Sequence, residues 1–437
     1  MPNARAVVDR LLGTFADATR GRDERRAVRL VKLLHTLVTE RGESTGAVMA
    51  RRAVALYNGL EDSGRALLFD RLASEFSPDP DLVFAAASRY LEEPSPDTLA
   101  HLLRVSEPPR QEVFRRMNSA GGGTATLVGL RSRLLERLVA HPHLESVDAD
   151  LTHLFGSWFN RGFLELRRID WNTPAAVLEK LITYEAVHEI RGFPDLKRRL
   201  ERDRRCFAFF HPALPGEPLV FVEVAFVDDL PSAVEPILSL ESAVGDPRKA
   251  RCAVFYSITS CQPGLKGISF GNFLIKQVAE DLQAELPNLR QFVTLSPVPG
   301  FRAWLSERAA RRPALAALLP LLEPGAPPPG PGNDEMLSAL TAHYLTREWD
   351  RGQARDPVAR FHLGNGARLE RVNSRADPSA KGLRQSLGVM VNYGYALGHV
   401  ERNHESYMRR HVVAASSAVE RQAKEARALL GEEPGPH

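Results

Sequence analysis

The hydrophobic period of the chain changes after about Pro142, and this change restricts the possible folds more than any other feature. Before it, apolar residues recur at helical spacing, as Val31, Leu34 and Val38 do, and such spacing is typical of amphipathic helices. Short segments containing glycine or proline interrupt the pattern, and no clustered polar chemistry accompanies it. We therefore predict an all-helical bundle over residues 1–149, which would serve packing and self-association.

After Pro142 the pattern predicts strands alternating with helices. Two apolar runs flank a turn that contains proline and glycine, which predicts a hairpin, and a helix over residues 268–285 separates two later strands. This order is typical of a mixed α/β layer with a crossover connection. The predicted fold class is therefore multidomain, an all-helical bundle followed by a mixed-sheet α/β domain over residues 150–437. The strands are predicted at residues 164–169, 206–210, 219–227, 253–259 and 292–295.

Composition and charge exclude several classes of partner. The chain has 57 basic and 54 acidic residues, a net charge of +3, and acidic residues interleave every basic stretch, so no nucleic-acid partner is predicted. No apolar run is long enough to span a bilayer, and acidic residues near the N-terminus argue against a targeting segment. The three cysteines are too few and too scattered for a disulfide framework or a metal site. We expect a cytoplasmic protein without a membrane partner.

A strand, a glycine-containing loop and a helix follow one another around Gln262. The unpaired N–H groups of a helix start bind anions, and Lys266 would add a positive charge. The pattern resembles the pyrophosphate loop of GNAT-type acyltransferases, Gln/Arg-x-x-Gly-x-Gly/Ala, in which Gln262 and Gly267 match, whereas Leu265 replaces the first glycine. The local pattern fits an ordinary strand-to-helix turn equally well. We predict that Gln262, Gly264, Lys266 and Gly267 bind a phosphate group.

Four ordered sequence blocks resemble malonyl-CoA decarboxylases. They include the motifs HPALPGEPLVFVE, GLKGISFGNFLIKQV, TLSPVPGF, FHLGNGA and MVNYGY, and together they cover roughly residues 150 to 410. Each motif alone is modest, but the ordered set is specific. The blocks lie at residues 158–164, 211–223, 256–299 and 357–395, and the motif TLSPVPGF of the third block continues to Phe301. The family has a helical N-terminal domain and a GNAT-like, acyltransferase-type catalytic domain, and the helix-then-α/β pattern agrees with it.

The resemblance implies conversion of malonyl-CoA to acetyl-CoA and carbon dioxide, without a metal or an organic cofactor, by a homodimer or homotetramer. It places a catalytic serine–histidine pair at Ser296, in the Ser-Pro-x-Pro-Gly-Phe motif, and at His362, in the Phe-His-Leu-x-Asn-Gly-Ala motif. It places substrate-binding groups at Ser257 and Tyr395. Ser269 stands where some family members carry an acidic residue.

Several of these residues have ordinary structural interpretations. Ser296 precedes a proline and fits a turn or a helix N-cap. His362 is predicted on a strand over residues 358–363 that the following Asn-Gly pair closes into a hairpin, and a lone strand histidine is more often structural. We expect Glu223 to face solvent. The Arg204–Arg205 pair fits a contact with an adenosine phosphate, but a solvent-facing position is the more common one for such a pair, and we expect it here.

Two other functions also fit the sequence. A GNAT-type acyltransferase would move the acyl group to an amine or a hydroxyl, and a non-catalytic acyl-CoA sensor or a scaffold built on the helical half would bind without turnover. Release of carbon dioxide and acetyl-CoA from malonyl-CoA without an acceptor would distinguish the decarboxylase from both.

Overall fold

The computed structural model describes residues 4–268 and 274–431. These residues form two compact units. One comprises the described residues of Met1–Glu165, His211–Glu217 and Gln262–Phe270, and the other comprises those of Leu166–Phe210, Pro218–Cys261 and Gly271–His437. Within the described ranges, no helix is long and apolar enough to cross a membrane.

The first unit is built on eight α-helices within residues 4–165, which confirms the predicted helical character of this part of the chain. Helix α1 buries a stripe that includes Leu30, Leu34 and Leu37, at the spacing expected of one helix face. Helix α5 begins with a capping box in which Ser95 and Thr98 satisfy each other's backbone N–H groups. The helices are α1 (Ala4–Thr39), α2 (Glu43–Asn58), α3 (Asp62–Glu75), α4 (Pro80–Glu92), α5 (Pro96–Ser106), α6 (Pro109–Asn118), α7 (Gly123–Leu135) and α8 (Glu145–Trp158).

A mixed sheet of eight strands is the centre of the second unit. Its strand order is β1-β2-β3-β4-β5-β10-β6, and β9 pairs with β10, while β7 and β8 form a separate two-stranded sheet. The predicted hairpin is confirmed as the antiparallel pair β2 and β3, and β4 runs parallel to β5. The strands are β1 (Glu165–Ile169), β2 (Arg204–Phe210), β3 (Pro218–Val227), β4 (Cys252–Ser260), β5 (Gln291–Thr294), β6 (Ser296–Pro297), β7 (Trp349–Asp350), β8 (Gln353–Ala354), β9 (Arg368–Asn373) and β10 (Met390–Gly394).

Helices connect and cover these strands. The predicted crossover helix is confirmed from Leu274 onward as α12, and Ser269 lies outside the described residues. The helices are α9 (Ala175–Tyr184), α10 (Phe193–Arg199), α11 (Glu235–Leu238), α12 (Leu274–Glu285), α13 (Phe301–Ala309), α14 (Leu319–Leu322), α15 (Asp334–Arg347), α16 (Pro357–Gly364), α17 (Ala380–Ser386), α18 (Val400–Arg410) and α19 (Ser417–Leu430). The helical region followed by a mixed α/β sheet domain confirms the predicted fold class.

The prediction of a strand over residues 358–363 was wrong. This segment is helix α16, and Asn365 is its C-cap rather than part of a hairpin turn. The cause lies at the start of the helix, where the Asp356 carboxylate accepts the backbone N–H groups of Val358 and Ala359. Pro357 then occupies the first helical position, where its missing N–H costs nothing.

Candidate active site

Ser296 and His362 meet in the second unit although 66 residues separate them. Ser296 begins β6, which pairs with β10 through the register Val391–Ser296, while His362 lies in the last turn of α16. The Ser296 Oγ atom is 3.0 Å from His362 Nε2, and both side chains are buried. The pair that the resemblance implied is therefore within hydrogen-bond distance.

Two further hydroxyl groups extend this contact into a series. Ser296 Oγ donates to Thr294 Oγ1 at 2.8 Å, and Thr294 Oγ1 also accepts the Tyr393 backbone N–H at 3.2 Å. On the other side, His362 Nδ1 is 2.8 Å from the Tyr395 hydroxyl. We call the series Tyr395–His362–Ser296–Thr294 the relay.

Burial sets the protonation state of the relay. It lowers the pKa of His362 to about 3, because the charged imidazolium would lose its hydration, and it raises the pKa of Tyr395 well above its ordinary value. Since Ser296 donates its proton to Thr294, His362 must donate from Nε2 to Ser296 and accept the Tyr395 proton at Nδ1. In the free protein the histidine is therefore neutral, and each of its nitrogens faces a hydroxyl group.

Asp356 fixes the helix that carries His362. Its Oδ1 atom accepts N–H groups of the first turn of α16 at 2.9 and 3.0 Å, and its Oδ2 atom accepts the Gly300 N–H at 3.1 Å. Gly300 directly precedes α13. One buried carboxylate therefore links the starts of two helices, and one of them positions the relay histidine.

Replacing Asp356 with alanine should lower the free energy of unfolding by about 2–4 kcal/mol, because a helix cap is lost and a buried N–H loses its acceptor. The value of kcat should fall as α16 loses its anchor. Urea unfolding and steady-state kinetics measure the two effects. The matched control is Asp79→Ala, because Asp79 also caps a helix in front of a proline but is exposed. It should cost about 1 kcal/mol and leave kcat unchanged, and equal effects of the two variants would contradict the role of Asp356.

Ser257 bonds to a carboxylate rather than to a member of the relay. It lies on β4, is buried, and donates to Glu185 Oε2 at 2.7 Å. Thr259 lies two residues further along the strand and approaches the same carboxylate at 3.4 Å. Glu185 was not identified from the sequence, and its negative charge beside Ser257 disfavours a second carboxylate there.

The predicted phosphate loop belongs to the first unit. Pro263–Leu265 forms a short 3-10 turn, and Gly267 has a φ of 80°, in the left-handed region that favours glycine. The backbone carbonyl oxygens of Gly264 and Lys266 each accept a hydrogen bond of 2.8 Å from Arg131 Nη1. The structure thus describes the loop itself, and the residues directly after Ile268 lie outside the described ranges.

Comparisons with known proteins show where the chain belongs. The family profile "Malonyl-CoA decarboxylase C-terminal domain" matches residues 162–432, and "Malonyl-CoA decarboxylase N-terminal domain" matches residues 76–159. The chain belongs to the malonyl-CoA decarboxylase family. It is 36% identical over 417 residues to the mitochondrial malonyl-CoA decarboxylase of Anser anser anser, covering 84% of this chain and 81% of that protein. The mitochondrial enzyme of Rattus norvegicus is 35% identical over 409 residues, covering 84% and 83%.

Crystal structures of bacterial malonyl-CoA decarboxylases are also similar to this chain. The enzyme of Rhodopseudomonas palustris is 47% identical, with a TM-score of 0.84 that covers 90% of this chain and 99% of that one. The enzyme of Agrobacterium vitis is 45% identical, with the same TM-score and coverage. These similarities extend over the helical and the α/β parts, and they make the chain a decarboxylase of this family.

Besides Glu185, sequence reasoning did not identify three residues that shape the candidate sites of this member of the malonyl-CoA decarboxylase family. Thr294 had a signal, because it lies two residues before Ser296 and extended residues at that spacing share a face. Asp356 had one as well, because aspartate followed by proline is typical of a helix start. Arg131 had none, because its partners lie 133 and 135 residues further along the chain.

Proposed function

We propose that this chain converts malonyl-CoA to acetyl-CoA and carbon dioxide, and that Ser296 and His362 deliver the proton. The supporting structural observation is the 3.0 Å contact between Ser296 Oγ and His362 Nε2 in a buried relay. Membership of the malonyl-CoA decarboxylase family supports the substrate class. The proposal requires no metal ion and no organic cofactor.

The reaction needs two services from the protein. Loss of carbon dioxide from the malonyl group leaves an enolate whose charge lies mainly on the thioester oxygen, so hydrogen-bond donors must face that oxygen. The new methyl carbon then needs a proton donor. Exclusion of water also favours the step, because the substrate carboxylate is charged and the departing carbon dioxide is neutral.

The proton route follows from the neutral state of His362. A malonyl carboxylate bound near the imidazole raises its pKa again, so substrate binding brings one proton onto His362. As the carbon–carbon bond breaks, the Ser296 hydroxyl gives its proton to the carbon and takes the proton of His362 Nε2. Each turnover consumes one proton and returns the imidazole to its neutral state. Because Ser296 and Tyr395 both present hydroxyl oxygens, the relay satisfies either protonation state.

Other residues would bind the substrate. The loop with Gln262, Gly264, Lys266 and Gly267 is proposed to bind the pyrophosphate of coenzyme A through backbone N–H groups and the charge of Lys266. Tyr395 was predicted to bind substrate, and we now propose that it acts by holding His362 Nδ1. For Ser257 we keep a role at the margin of the substrate site, through its bond to Glu185.

The test is a product analysis with malonyl-CoA as the sole substrate and no acceptor. We expect carbon dioxide and acetyl-CoA in equal amounts, and no release when acetyl-CoA replaces malonyl-CoA. Products that form only when an amine or a hydroxyl acceptor is added would indicate an acyltransferase instead. Tight binding of malonyl-CoA without any product would indicate a sensor.

We also propose that the chain is a cytoplasmic homo-oligomer, a dimer or a tetramer. Helices α4 and α5 expose four large apolar side chains, and exposed apolar patches are typical of interaction surfaces. These are Leu82, Phe84, Leu91 and Leu103, which are 58%, 75%, 78% and 61% exposed. Replacing Phe84 and Leu91 with glutamate should reduce the molar mass in light scattering to that of one chain, and an unchanged mass would exclude this surface.

A further inference from the structure

One buried arginine of the helical unit touches the predicted phosphate loop. The Arg131 side chain is 4% exposed, and its Nε atom donates to Asp148 Oδ1 at 2.7 Å. Its Nη1 atom donates to the carbonyl oxygens of Gly264 and Lys266. The guanidinium group thus connects Asp148 on α8 with two carbonyl groups of the loop backbone. The planar fork of arginine permits this arrangement, and an ammonium group does not.

A second contact with the loop lies one helical turn before Arg131 on helix α7, which carries both residues. The loop backbone packs so closely on α7 that a Cβ atom added at Gly264 would lie 1.9 Å from the Val128 carbonyl oxygen. Val128 and Arg131 are three residues apart and therefore share a face of the helix. This face of α7 fixes the loop at two points, by close packing and by hydrogen bonds.

These contacts determine which backbone groups the loop can offer to an anion. In a trans peptide the carbonyl oxygen and the following N–H point in opposite directions. The Lys266 carbonyl points at Arg131, so the Gly267 N–H is directed away from α7. The next N–H, that of Ile268, donates to the Leu265 carbonyl oxygen at 3.0 Å and closes the turn in which Gly267 has its positive φ. The Gly267 N–H is therefore the group that this part of the loop offers to a phosphate oxygen.

We propose that Arg131 is a positioning residue for acyl-CoA binding, which holds the loop carbonyls so that the Gly267 N–H faces the pyrophosphate. The proposal rests on the proposed function, because it takes the loop as the pyrophosphate site. Arg131 itself lies beneath the loop, paired with Asp148, and acts through the backbone. Pre-organisation of this kind improves binding because the loop is ordered before the ligand arrives.

The variant Arg131→Met keeps the volume of the side chain and removes its donors. We expect KM for malonyl-CoA to rise about 10- to 100-fold, the range for loss of a charged hydrogen-bond donor, with kcat unchanged. Malonyl-pantetheine lacks the pyrophosphate, so its KM should be the same for the variant and the original chain. Arg131→Lys should give an intermediate rise, because a point charge cannot hold both carbonyls and Asp148 together.

Arg110→Met is the matched control. Arg110 is also buried and pairs with Asp150, on the same helix α8 as Asp148, but its other bonds go to the helical bundle. The Arg110→Met variant should lower the free energy of unfolding, and any change in KM should be the same for malonyl-CoA and malonyl-pantetheine. If Arg131→Met raised KM equally for malonyl-CoA and malonyl-pantetheine, Arg131 would have only a structural role and the proposal would be overturned.

Two further measurements keep the result decisive. If Arg131→Met does not fold, Arg131→Lys provides the same comparison of substrates, and no preference there overturns the proposal. Calorimetry with coenzyme A and pantetheine measures binding without turnover. A chain that binds coenzyme A through the loop but releases no carbon dioxide would overturn the proposed reaction and leave the positioning role supported.

Discussion

Replacing His362 with asparagine should lower kcat for malonyl-CoA about 100- to 10,000-fold, the usual contribution of general acid–base catalysis. Asparagine keeps a hydrogen-bonding group near Ser296 but cannot take up and transfer a proton. KM should change little, because most of the binding energy comes from the coenzyme A moiety rather than the reacting group. Steady-state kinetics with carbon dioxide detection measure both constants.

Ser296→Ala should have a similar effect, and the double variant should be little worse than either single one, because residues that act as a unit are not additive. His188→Asn is the control, since burial also lowers the pKa of this histidine, to about 4, away from the relay. It should leave kcat unchanged. Fully additive losses in the double variant would contradict a common proton route, and a normal kcat for His362→Asn would exclude histidine from the chemistry.

The pH dependence provides a separate check on the relay. The profile of kcat/KM reports ionisations of the free enzyme, and burial lowers the pKa of His362 to about 3. The pH profile of kcat/KM should therefore show no inflection from His362 at the ordinary histidine pKa of about 6.5. Binding of an unreactive malonyl-CoA analogue should take up a proton, so its affinity should rise as the pH falls. The His362→Asn variant should lose this uptake.

Long or strongly patterned segments could be predicted from the sequence, and the short segment with His362 could not. The helical period before Pro142 and the hairpin of β2 and β3 depend on local patterns that tertiary contacts reinforce. The six residues 358–363 are too few for the spacing of apolar residues to distinguish a strand from a helix. The Asp356 cap and the bond to Gly300 decided the conformation, and the second of these is a long-range contact.

The candidate site was predictable only through ordered family motifs. Ser296 and His362 come from separate motifs, and no local rule brings a β-strand serine to a helix 66 residues away. The support of the loop by Arg131 depends on contacts between distant segments, which no spacing rule contains. The resemblance to the family indicated the reacting residues because the ordered motifs reflect a shared fold. It did not identify the residues that position them.

The expectation that Glu223 and Arg204–Arg205 face solvent was wrong, and ion pairing is the reason. A charged residue is seldom fully buried unless it has a partner. The partners of Glu223 and Arg205 come from distant parts of the chain, whereas that of Arg204 is the preceding residue. Arg199 Nη1 donates to Glu223 Oε2 at 2.7 Å. Arg204 pairs with Asp203 at 2.9 Å, and Arg205 pairs with Glu285.

The pair of Arg199 and Glu223 should be among the most sensitive positions for stability. Glu223 is fully buried on β3, and burial raises the pKa of its carboxyl to about 7, although the positive charge of Arg199 opposes this shift. Arg199→Met leaves the carboxylate buried without a counter-charge, and such changes cost about 3–5 kcal/mol in the free energy of unfolding. Urea unfolding at pH 8 measures the loss.

The loss should shrink on acidification, and the direction follows from proton binding. Without Arg199 the folded-state pKa of Glu223 rises further, while the unfolded chain keeps an ordinary value of about 4.3. The folded state then binds more protons than the unfolded state between these two values, so stability falls as the pH rises. The Arg199→Met variant should therefore recover part of its stability at about pH 5.5, where Glu223 binds a proton in the folded state.

The double variant Arg199→Met/Glu223→Leu should recover most of the loss at pH 8, because apolar replacement of a buried pair is often neutral. A loss in Arg199→Met of equal size at both pH values would show that the other hydrogen bonds of Arg199 account for the effect instead of the charge on Glu223. Those bonds go to Asp195 and to the His188 and Glu189 carbonyls.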